Sequence, residues 1–327
     1  MSKTWRSFFK QLSRCGSSSD ESHAQSYVHT STGARYERRL ECVGRGRYGC
    51  VVAYDYLACA AHATPPPGLP DSFCVKRVFH DAHSEVEAIS ALQPMARGCV
   101  LAAVLSHDNN NDCAEVGMPL YAGTLCDVMR RSTPSFAASV VLKLATTVDA
   151  LWSIGLAYTD IKSSNVLYHE SEQGVIHVLL GDLGSIVPLR AKDGRQPPVG
   201  IFTFPPQRAV NECAETADLD DGVVQPREAD VVWSLGALLM AMTLGSEWLV
   251  ARATGASLRS IAAKYGGDLS KAFAHVVDDI AHEADVLRTL DGKAGMRCAN
   301  AFDVSVRAWC GLEGATITAF RSALHGA

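Results

Sequence analysis

Residues 158–168 read YTDIKSSNVLY, and this segment carries most of the information about the fold and its chemistry. Asp160, Lys162 and Asn165 lie on a predicted loop, because the preceding helical pattern stops at Gly155, a residue typical of helix ends. An acid can accept the proton of an attacking hydroxyl, a lysine can neutralise phosphate charge, and an amide oxygen can bind a hard cation. The segment therefore predicts phosphate chemistry, although a simple Asx-type turn would explain the loop taken alone.

A second acidic segment follows at residues 181–185, which read GDLGS. Asp182 ends a short apolar run, and Gly184 allows the chain to turn sharply behind it. Carboxylate and amide oxygens are the ligands that Mg²⁺ prefers. Asp182 and Asn165 are therefore predicted to bind Mg²⁺, with Mn²⁺ as a substitute, whereas the alternative is an acid that merely ends a strand.

Residues 44–51 read GRGRYGCV, with Gly44, Gly46 and Gly49 followed by Val51. Glycines let the backbone approach phosphate oxygens closely. This pattern lies between two strand-forming runs, which predicts a β-hairpin over ATP rather than a dinucleotide-binding turn. An ordinary glycine-rich hairpin has the same pattern.

Lys76 lies inside an apolar strand, where a charged group needs a partner. It is predicted to reach the ATP phosphates and to be held by Glu85, which borders the apolar stripe of the next helix. Glu87 lies away from that stripe. The stripe consists of Val86, Ile89 and Leu92. The alternatives are a lysine on the solvent face of its strand and a solvated glutamate.

Composition limits the class of protein. The chain has 327 residues, of which 47% are apolar and 20% charged, and such values are typical of a globular protein. A net charge of −5 excludes a general nucleic-acid-binding surface. The eleven cysteines show no zinc spacing, which predicts a reducing, intracellular location in the cytoplasm or nucleus. We find neither a long apolar run nor a signal peptide, so no transmembrane span is expected.

The organisation along the chain predicts an α+β protein. Residues 1–35 are polar and serine-rich and are predicted to form a disordered tail. Within that tail, residues 2–15 interleave aromatic and basic side chains. This indicates either a short amphipathic helix that contacts a membrane or partner, or a frayed basic terminus that packs nowhere or back onto its own domain. Residues 36–325 are predicted to be one domain, with strands and one helix over 36–121 and mostly helices over 122–325.

Together these segments resemble the eukaryotic-type protein kinases, from about residue 40 to 325. The lysine two positions after Asp160 is similar to that of the Ser/Thr type, and the short spacing is similar to kinases of large DNA viruses. The resemblance implies a bilobal protein-kinase-like fold. A small β-rich N-lobe with one main helix would span residues 36–121, and a larger, mostly helical C-lobe would span residues 122–325.

The resemblance also implies roles for particular residues, with ATP and Mg²⁺ as cofactors. Residues 118–121 would contact adenine through their backbone. The implied catalytic residues are Lys76, Glu85, Asp160 and Lys162, and the implied metal ligands are Asn165 and Asp182. The implied ATP-binding residues are Gly44, Gly46, Gly49, Val51, Cys74, Lys76, Met118, Leu120 and Leu167. An apolar stack would contain Ile89, Tyr158 and Leu183.

Four departures from the family pattern have consequences. Thr159 stands where the family has an arginine that binds a phosphorylated activation segment, so activity is predicted without that phosphorylation. Cys74 replaces an alanine above adenine. Its thiol would either react with an electrophilic inhibitor or be kept protonated and inert by burial. Gln207 replaces an ion-pairing glutamate. Asp230 is one residue further from Trp233 than usual, and either Asp230 or Val231 would occupy the position that tethers the catalytic loop.

The predicted function is transfer of the ATP γ-phosphoryl group to Ser or Thr of a protein substrate. The alternatives are a pseudokinase scaffold and a small-molecule kinase. Residues 211–222 contain five acids and are predicted to be either a solvated loop or a docking strip for basic substrates.

Overall fold

The computed structural model describes residues 7–15, 25–46, 49–58, 64–79, 82–92, 102–129, 132–170, 175–189, 200–201, 223–224, 226–244, 263–264, 266–267, 271, 282, 285–290 and 292–326. The chain divides into two compact units. Unit 1 consists of Met1–Ala122 with Asp182–Gly184, and unit 2 of Gly123–Gly181 with Ser185–Ala327.

Unit 1 contains an antiparallel sheet of seven strands in the order β1-β2-β3-β4-β5-β7-β6. The strands are β1 (Leu12–Cys15), β2 (Ser26–His29), β3 (Arg35–Gly46), β4 (Gly49–Tyr56), β5 (Ser72–Val78), β6 (Ala103–Asp108) and β7 (Cys113–Pro119). Helix α1 (Ala82–Leu92) connects β5 with β6, and residues 7–10 form one helical turn. Strands β3 and β4 make a tight hairpin in which Gly46 pairs with Gly49.

The two faces of this sheet bury different side chains, because successive residues of a strand point to opposite sides. Val52, Tyr54, Phe73 and Val75 share one face, and paired registers place Val52 opposite Val75 and Tyr54 opposite Phe73. The N-terminal segment covers this face with a set of aromatic rings. These are Phe8, Phe9 and Tyr27, which all belong to the same buried cluster.

Close contacts fix the N-terminal segment on the sheet. A Cβ atom added at Gly117 would lie 2.7 Å from the ring of Phe9, so only glycine fits beneath that ring. The hydroxyl of Tyr27 donates to buried Glu115 at 2.9 Å, and Arg14 lies 3.2 Å from the other oxygen of the same carboxylate. The segment is therefore an integral part of the core of unit 1.

The predicted bilobal protein-kinase-like fold, with a small β-rich N-lobe over residues 36–121 and a mostly helical C-lobe, is wrong. The chain is α+β, but its N-terminal region is a large antiparallel sheet of seven strands. Two of those strands, β1 and β2, come from residues 1–35, so the predicted disordered tail is also wrong for residues 7–15 and 25–35. Polar composition misled the prediction because a few aromatic anchors suffice to bury the segment.

Unit 2 combines helices with short strands. The helices are α2 (Leu125–Val128), α3 (Pro134–Ser153), α4 (Glu228–Leu244), α5 (Gly292–Trp309) and α6 (Ile317–His325). The strands are β8 (Gly123–Thr124), β9 (Leu156–Tyr158), β10 (Val166–Glu170), β11 (Ile176–Leu180), β12 (Ile186–Pro188), β13 (Gly200–Ile201) and β14 (Val223–Val224). They form one sheet of order β11-β10-β8 and two antiparallel pairs, β12 with β9 and β13 with β14.

Helix α3 illustrates how local sequence builds unit 2. The Thr133 hydroxyl accepts a hydrogen bond from the backbone N–H of Phe136, which caps the first turn. The helix ends before Gly155, whose φ of +81° suits a residue without a side chain. Among the described residues, α3 is the one helix long and apolar enough to cross a membrane, a criterion that core helices of water-soluble proteins also meet.

Helix α4 forms the buried centre of unit 2. Its residues from Asp230 to Thr243 are all buried, as expected for a helix that is apolar nearly all round. Helix α5 lies directly against it, because a Cβ atom added at Gly236 would be 2.0 Å from the Ser305 hydroxyl oxygen. The rings of Trp233 and Trp309 stack at 4.8 Å between these helices.

Candidate functional site

The candidate residues fall into two groups, and each group lies within one unit. In unit 1, the Nζ atom of Lys76 donates to both oxygens of Glu85, at 3.0 and 2.7 Å, and to Oδ1 of Asp182 at 2.7 Å. Strand β5 supplies the lysine and helix α1 the glutamate. Glu87, which helical periodicity placed away from the core, is 67% exposed in its side chain, against 3% for Glu85.

Burial and charge act in opposite directions on this cluster. Burial lowers the pKa of Lys76, but Glu85 and Asp182 together raise it above its usual 10.5, so the ammonium form is favoured. Burial also raises the pKa of Glu85, and the charge of Lys76 only partly offsets that effect. A cation held between two carboxylates in this way has little freedom to move.

Asp182 adopts an uncommon backbone conformation, with φ of +47°. Residues other than glycine seldom occupy this left-handed region, and where they do the surrounding structure must hold them there. The next residue, Leu183, is 2% exposed, and a Cβ atom added at Gly184 would lie 3.7 Å from Cβ of Glu85. Glu85 therefore contacts both Lys76 and the turn that presents Asp182.

Three of the predicted nucleotide-binding residues, Val51, Cys74 and Met118, share the sheet face of Lys76. Val51 pairs directly with Lys76, and Cys74 pairs with Met118 on the neighbouring strand. Met118 and Val51 are partly buried, and Leu120 follows β7 in a similarly half-buried position. The strand registers thus place Val51, Cys74 and Met118 on the face of Lys76, opposite the N-terminal segment.

Cys74 is 5% exposed, and its thiol donates to the carbonyl oxygens of Pro119 and Met118 at 3.3 and 3.5 Å. Burial raises the pKa of this thiol to about 12, so it is protonated at neutral pH.

The glycines of the hairpin differ in what they contact. A Cβ atom at Gly49 would lie 2.1 Å from the carbonyl oxygen of Arg77, so the close approach of β4 and β5 requires glycine there. At Gly44 the nearest atom to such a Cβ, on Val51, is 3.9 Å away, which is an ordinary contact. Gly46 ends β3 at the hairpin turn. Close packing therefore explains why position 49 is a glycine, whereas a side chain at position 44 would have room, so packing does not explain Gly44.

In unit 2, the second group lies on the segment between β9 and β10. Oδ2 of Asp160 accepts hydrogen bonds from Nζ of Lys162 and Nδ2 of Asn165, both at 2.6 Å. Nδ2 of Asn165 also donates to the backbone oxygen of Asp160 at 3.1 Å. Because the amide nitrogen faces Asp160, the amide oxygen of Asn165 points to the other side. Leu167 follows on β10, where it pairs with Thr124 and Leu179.

Two hydroxyl contacts in unit 2 were not predicted from the sequence. The hydroxyl of Tyr158 donates to the carbonyl oxygen of Gly181 at 2.7 Å, and that of Thr159 donates to the carbonyl oxygen of Ser185 at 3.1 Å. Both side chains are buried. No sequence signal could reveal these contacts, since the partners are 23 and 26 residues away.

The last predicted features are Asp230, Gln207 and the acidic segment 211–222. Asp230 is buried, and its carboxylate accepts a hydrogen bond from the backbone N–H of Arg227 at 2.8 Å, in the first turn of α4. Gln207 and the acidic segment 211–222 lie outside the described residues.

The two predicted metal ligands lie in different units, Asp182 in unit 1 and Asn165 in unit 2. In the described part of the chain, no three His, Cys, Asp or Glu side chains are grouped so that they could hold a metal by themselves. Asn165 and Asp182 offer oxygen ligands, which Mg²⁺ prefers, and Mg²⁺ usually completes its shell with phosphate oxygens and water.

Comparison with models of known protein families and with curated proteins finds no match for this chain. Functional assignment therefore depends on the geometry of the two groups.

Proposed function

We propose that this chain is a Ser/Thr protein kinase that transfers the γ-phosphoryl group of ATP to a protein hydroxyl. The observation that carries the proposal is the position of Lys76, a nearly buried cation bound by Glu85 and Asp182 within 3.0 Å. A buried lysine needs such partners to remain charged, and a fixed cation is what phosphoryl transfer requires.

In the proposed reaction, Lys76 binds the α- and β-phosphates of ATP, and Glu85 orients the lysine. Asn165 and Asp182 would hold Mg²⁺ or Mn²⁺, which neutralises charge on the phosphate oxygens when bound. The oxygen of the substrate hydroxyl forms a bond to the γ-phosphorus and gives its proton to Asp160. The bond from that phosphorus to the bridging oxygen breaks, and ADP leaves. Lys162, which contacts Asp160, neutralises charge on the transferred group. Positioning and electrostatics of this kind supply most of the catalysis in phosphoryl transfer.

We also propose that the kinase is active without being phosphorylated itself. Thr159 occupies the position at which an arginine would bind a phosphate, and a hydroxyl cannot pair with phosphate in that way. Its hydroxyl donates instead to the backbone of Ser185. We expect phosphatase treatment to leave the turnover of the purified protein unchanged, and a loss of turnover would contradict this part of the proposal.

Phosphotransfer with γ-labelled ATP tests the proposal. The assay compares the wild type with the Lys76→Met and Asp182→Ala variants, on a Ser/Thr peptide library and on small aminoglycoside and choline acceptors. Lys10→Met, at an exposed lysine of unit 1, is the matched control. We expect transfer to peptides by the wild type and the control, and a loss of about a hundredfold or more in the other two variants.

Three other results would contradict the proposal. Binding of ATP without any transfer by the wild type would indicate a scaffold. Transfer confined to the small acceptors would indicate a small-molecule kinase. Equal activity of wild type and Lys76→Met would separate the lysine cluster from catalysis altogether.

A further inference from the structure

Two buried hydroxyl groups hold the backbone on either side of the turn that carries Asp182. Tyr158, which is fully buried, donates to the carbonyl oxygen of Gly181 at 2.7 Å. Both the hydroxyl and the backbone N–H of Thr159 donate to the carbonyl oxygen of Ser185 at 3.1 Å. Gly181 and Ser185 flank the three-residue turn 182–184. Tyr158, the last residue of β9, therefore holds one end of this turn, and Thr159, the next residue, holds the other.

The turn between these two points needs such support. Asp182 has a φ of +47°, a conformation in which a residue with a side chain persists only where its surroundings hold it. The backbone contributes part of this restraint: Gly181 donates its N–H to the carbonyl oxygen of Asn165 at 2.7 Å, and Ile186 pairs with Tyr158 across β12 and β9. The hydroxyls add side-chain hydrogen bonds to the two carbonyl groups nearest the turn.

We propose that Tyr158 and Thr159 are positioning residues that keep Asp182 in its metal-binding conformation. The inference rests on the proposed function, in which the Asp182 carboxylate binds Mg²⁺. It also explains how the turn is ordered without a modification, because buried hydroxyls of the chain itself hold it in place. In this proposal the two residues act on Asp182 through the backbone of Gly181 and Ser185.

Variants that remove only the hydroxyls separate positioning from packing. Tyr158→Phe and Thr159→Val keep the shape of the side chains, and Thr159→Ser keeps the hydroxyl. Two matched controls remove comparable hydrogen bonds elsewhere. Tyr36→Phe removes a bond from a buried tyrosine to the Pro70 carbonyl at 2.9 Å, and Thr147→Val removes one from a buried threonine to the Lys143 carbonyl at 3.0 Å.

The first measurement is amide hydrogen exchange over residues 178–189 of the protein without nucleotide. A neutral hydrogen bond contributes enough for its loss to raise local exchange about threefold to tenfold. We expect this increase in Tyr158→Phe and in Thr159→Val, and wild-type exchange in Thr159→Ser and in both controls. The second measurement is phosphotransfer against Mg²⁺ concentration at saturating ATP. The half-maximal Mg²⁺ concentration should rise by a similar factor in the first two variants, with kcat at saturating Mg²⁺ close to wild type.

The two measurements also distinguish this inference from the proposed function. If Tyr158→Phe and Thr159→Val match the controls in exchange, the inference is wrong, whatever the activity. If exchange is unchanged but kcat falls at saturating Mg²⁺, the hydroxyls serve another role and the inference is again wrong. If the wild type transfers no phosphoryl group, the proposed function fails, and the exchange result alone decides whether these hydroxyls hold the turn.

Discussion

Replacement of Glu85 by glutamine tests the lysine cluster most directly. The substitution preserves shape and removes one negative charge from a side chain that is 3% exposed. Loss of one partner of a buried ion pair costs about 3–5 kcal/mol of unfolding free energy when the other charge is left alone. Here Lys76 keeps Asp182 at 2.7 Å, and the glutamine carbonyl oxygen can still accept a hydrogen bond from Nζ. We therefore expect Glu85→Gln to lower the free energy of unfolding by about 2 kcal/mol.

The functional effect should exceed the effect on stability. With one charge removed, Lys76 is drawn towards Asp182, the proposed metal ligand, and both groups leave their positions. A misplacement of about 1 Å costs up to roughly a hundredfold in rate, so kcat/KM for ATP should fall between about tenfold and a hundredfold. Urea unfolding gives the first quantity and steady-state kinetics with peptide substrate gives the second.

Glu87→Gln is the matched control, since it makes the same chemical change two residues along the same helix. Its carboxylate is 67% exposed and lies 3.4 Å from His83, and a surface pair of this kind contributes little. The control should stay within about 0.5 kcal/mol of the wild type and retain full activity. Equal effects of the two substitutions would refute this prediction, because Glu85 differs from Glu87 in its burial and in its contact with Lys76.

Three further predictions concern other parts of the chain. Phe8→Ala should lower the unfolding free energy by about 3–5 kcal/mol, because Phe8 is buried against the sheet. The control Leu40→Ala, at a fully exposed site, should change it little. Equal urea midpoints for the two variants would instead support a disordered N-terminal tail. Cys74 should resist iodoacetamide in the folded protein at neutral pH, because burial raises its pKa to about 12, while exposed Cys126 is labelled; peptide mass spectrometry showing equal labelling would contradict this. Lys76 has a pKa raised above 10.5, so its stabilising effect is complete below that pH and is lost as the pH rises through the higher value in the folded state. The stability difference between wild type and Lys76→Met should thus persist in mildly alkaline solution and shrink only above pH 10.5; a decline at lower alkaline pH would count against the ion pair.

Local pattern was informative wherever the deciding interactions lie within one element. The helical period alone distinguishes Glu85 from Glu87, and the structure buries the first and exposes the second. The threonine, proline and glycine around helix α3 mark its ends by the same short-range rules. These features are predictable because their partners are only a few residues away.

Composition gave a wrong prediction of disorder for the N-terminal segment, and the structure shows the reason. Residues 1–35 are polar on average, yet Phe8, Phe9 and Tyr27 lie in the main aromatic cluster of unit 1. The surface that accepts them is made by strands further along the chain, and Gly117 leaves the space that Phe9 fills. Average hydropathy measures how many apolar side chains a segment has, whereas stability depends on whether a complementary surface exists for the few it has.

The sequence by itself determined which side chains share a face of a strand or helix, and which residue types are capable of phosphate and metal chemistry, because backbone periodicity and functional-group chemistry are local properties. Only the tertiary structure decided the partners: Lys76 meets Asp182 across 106 residues, and Tyr27 meets Glu115 across 88. Contacts at such separations form because burial of many apolar groups elsewhere offsets the entropy of closing long loops, and no short segment contains that information.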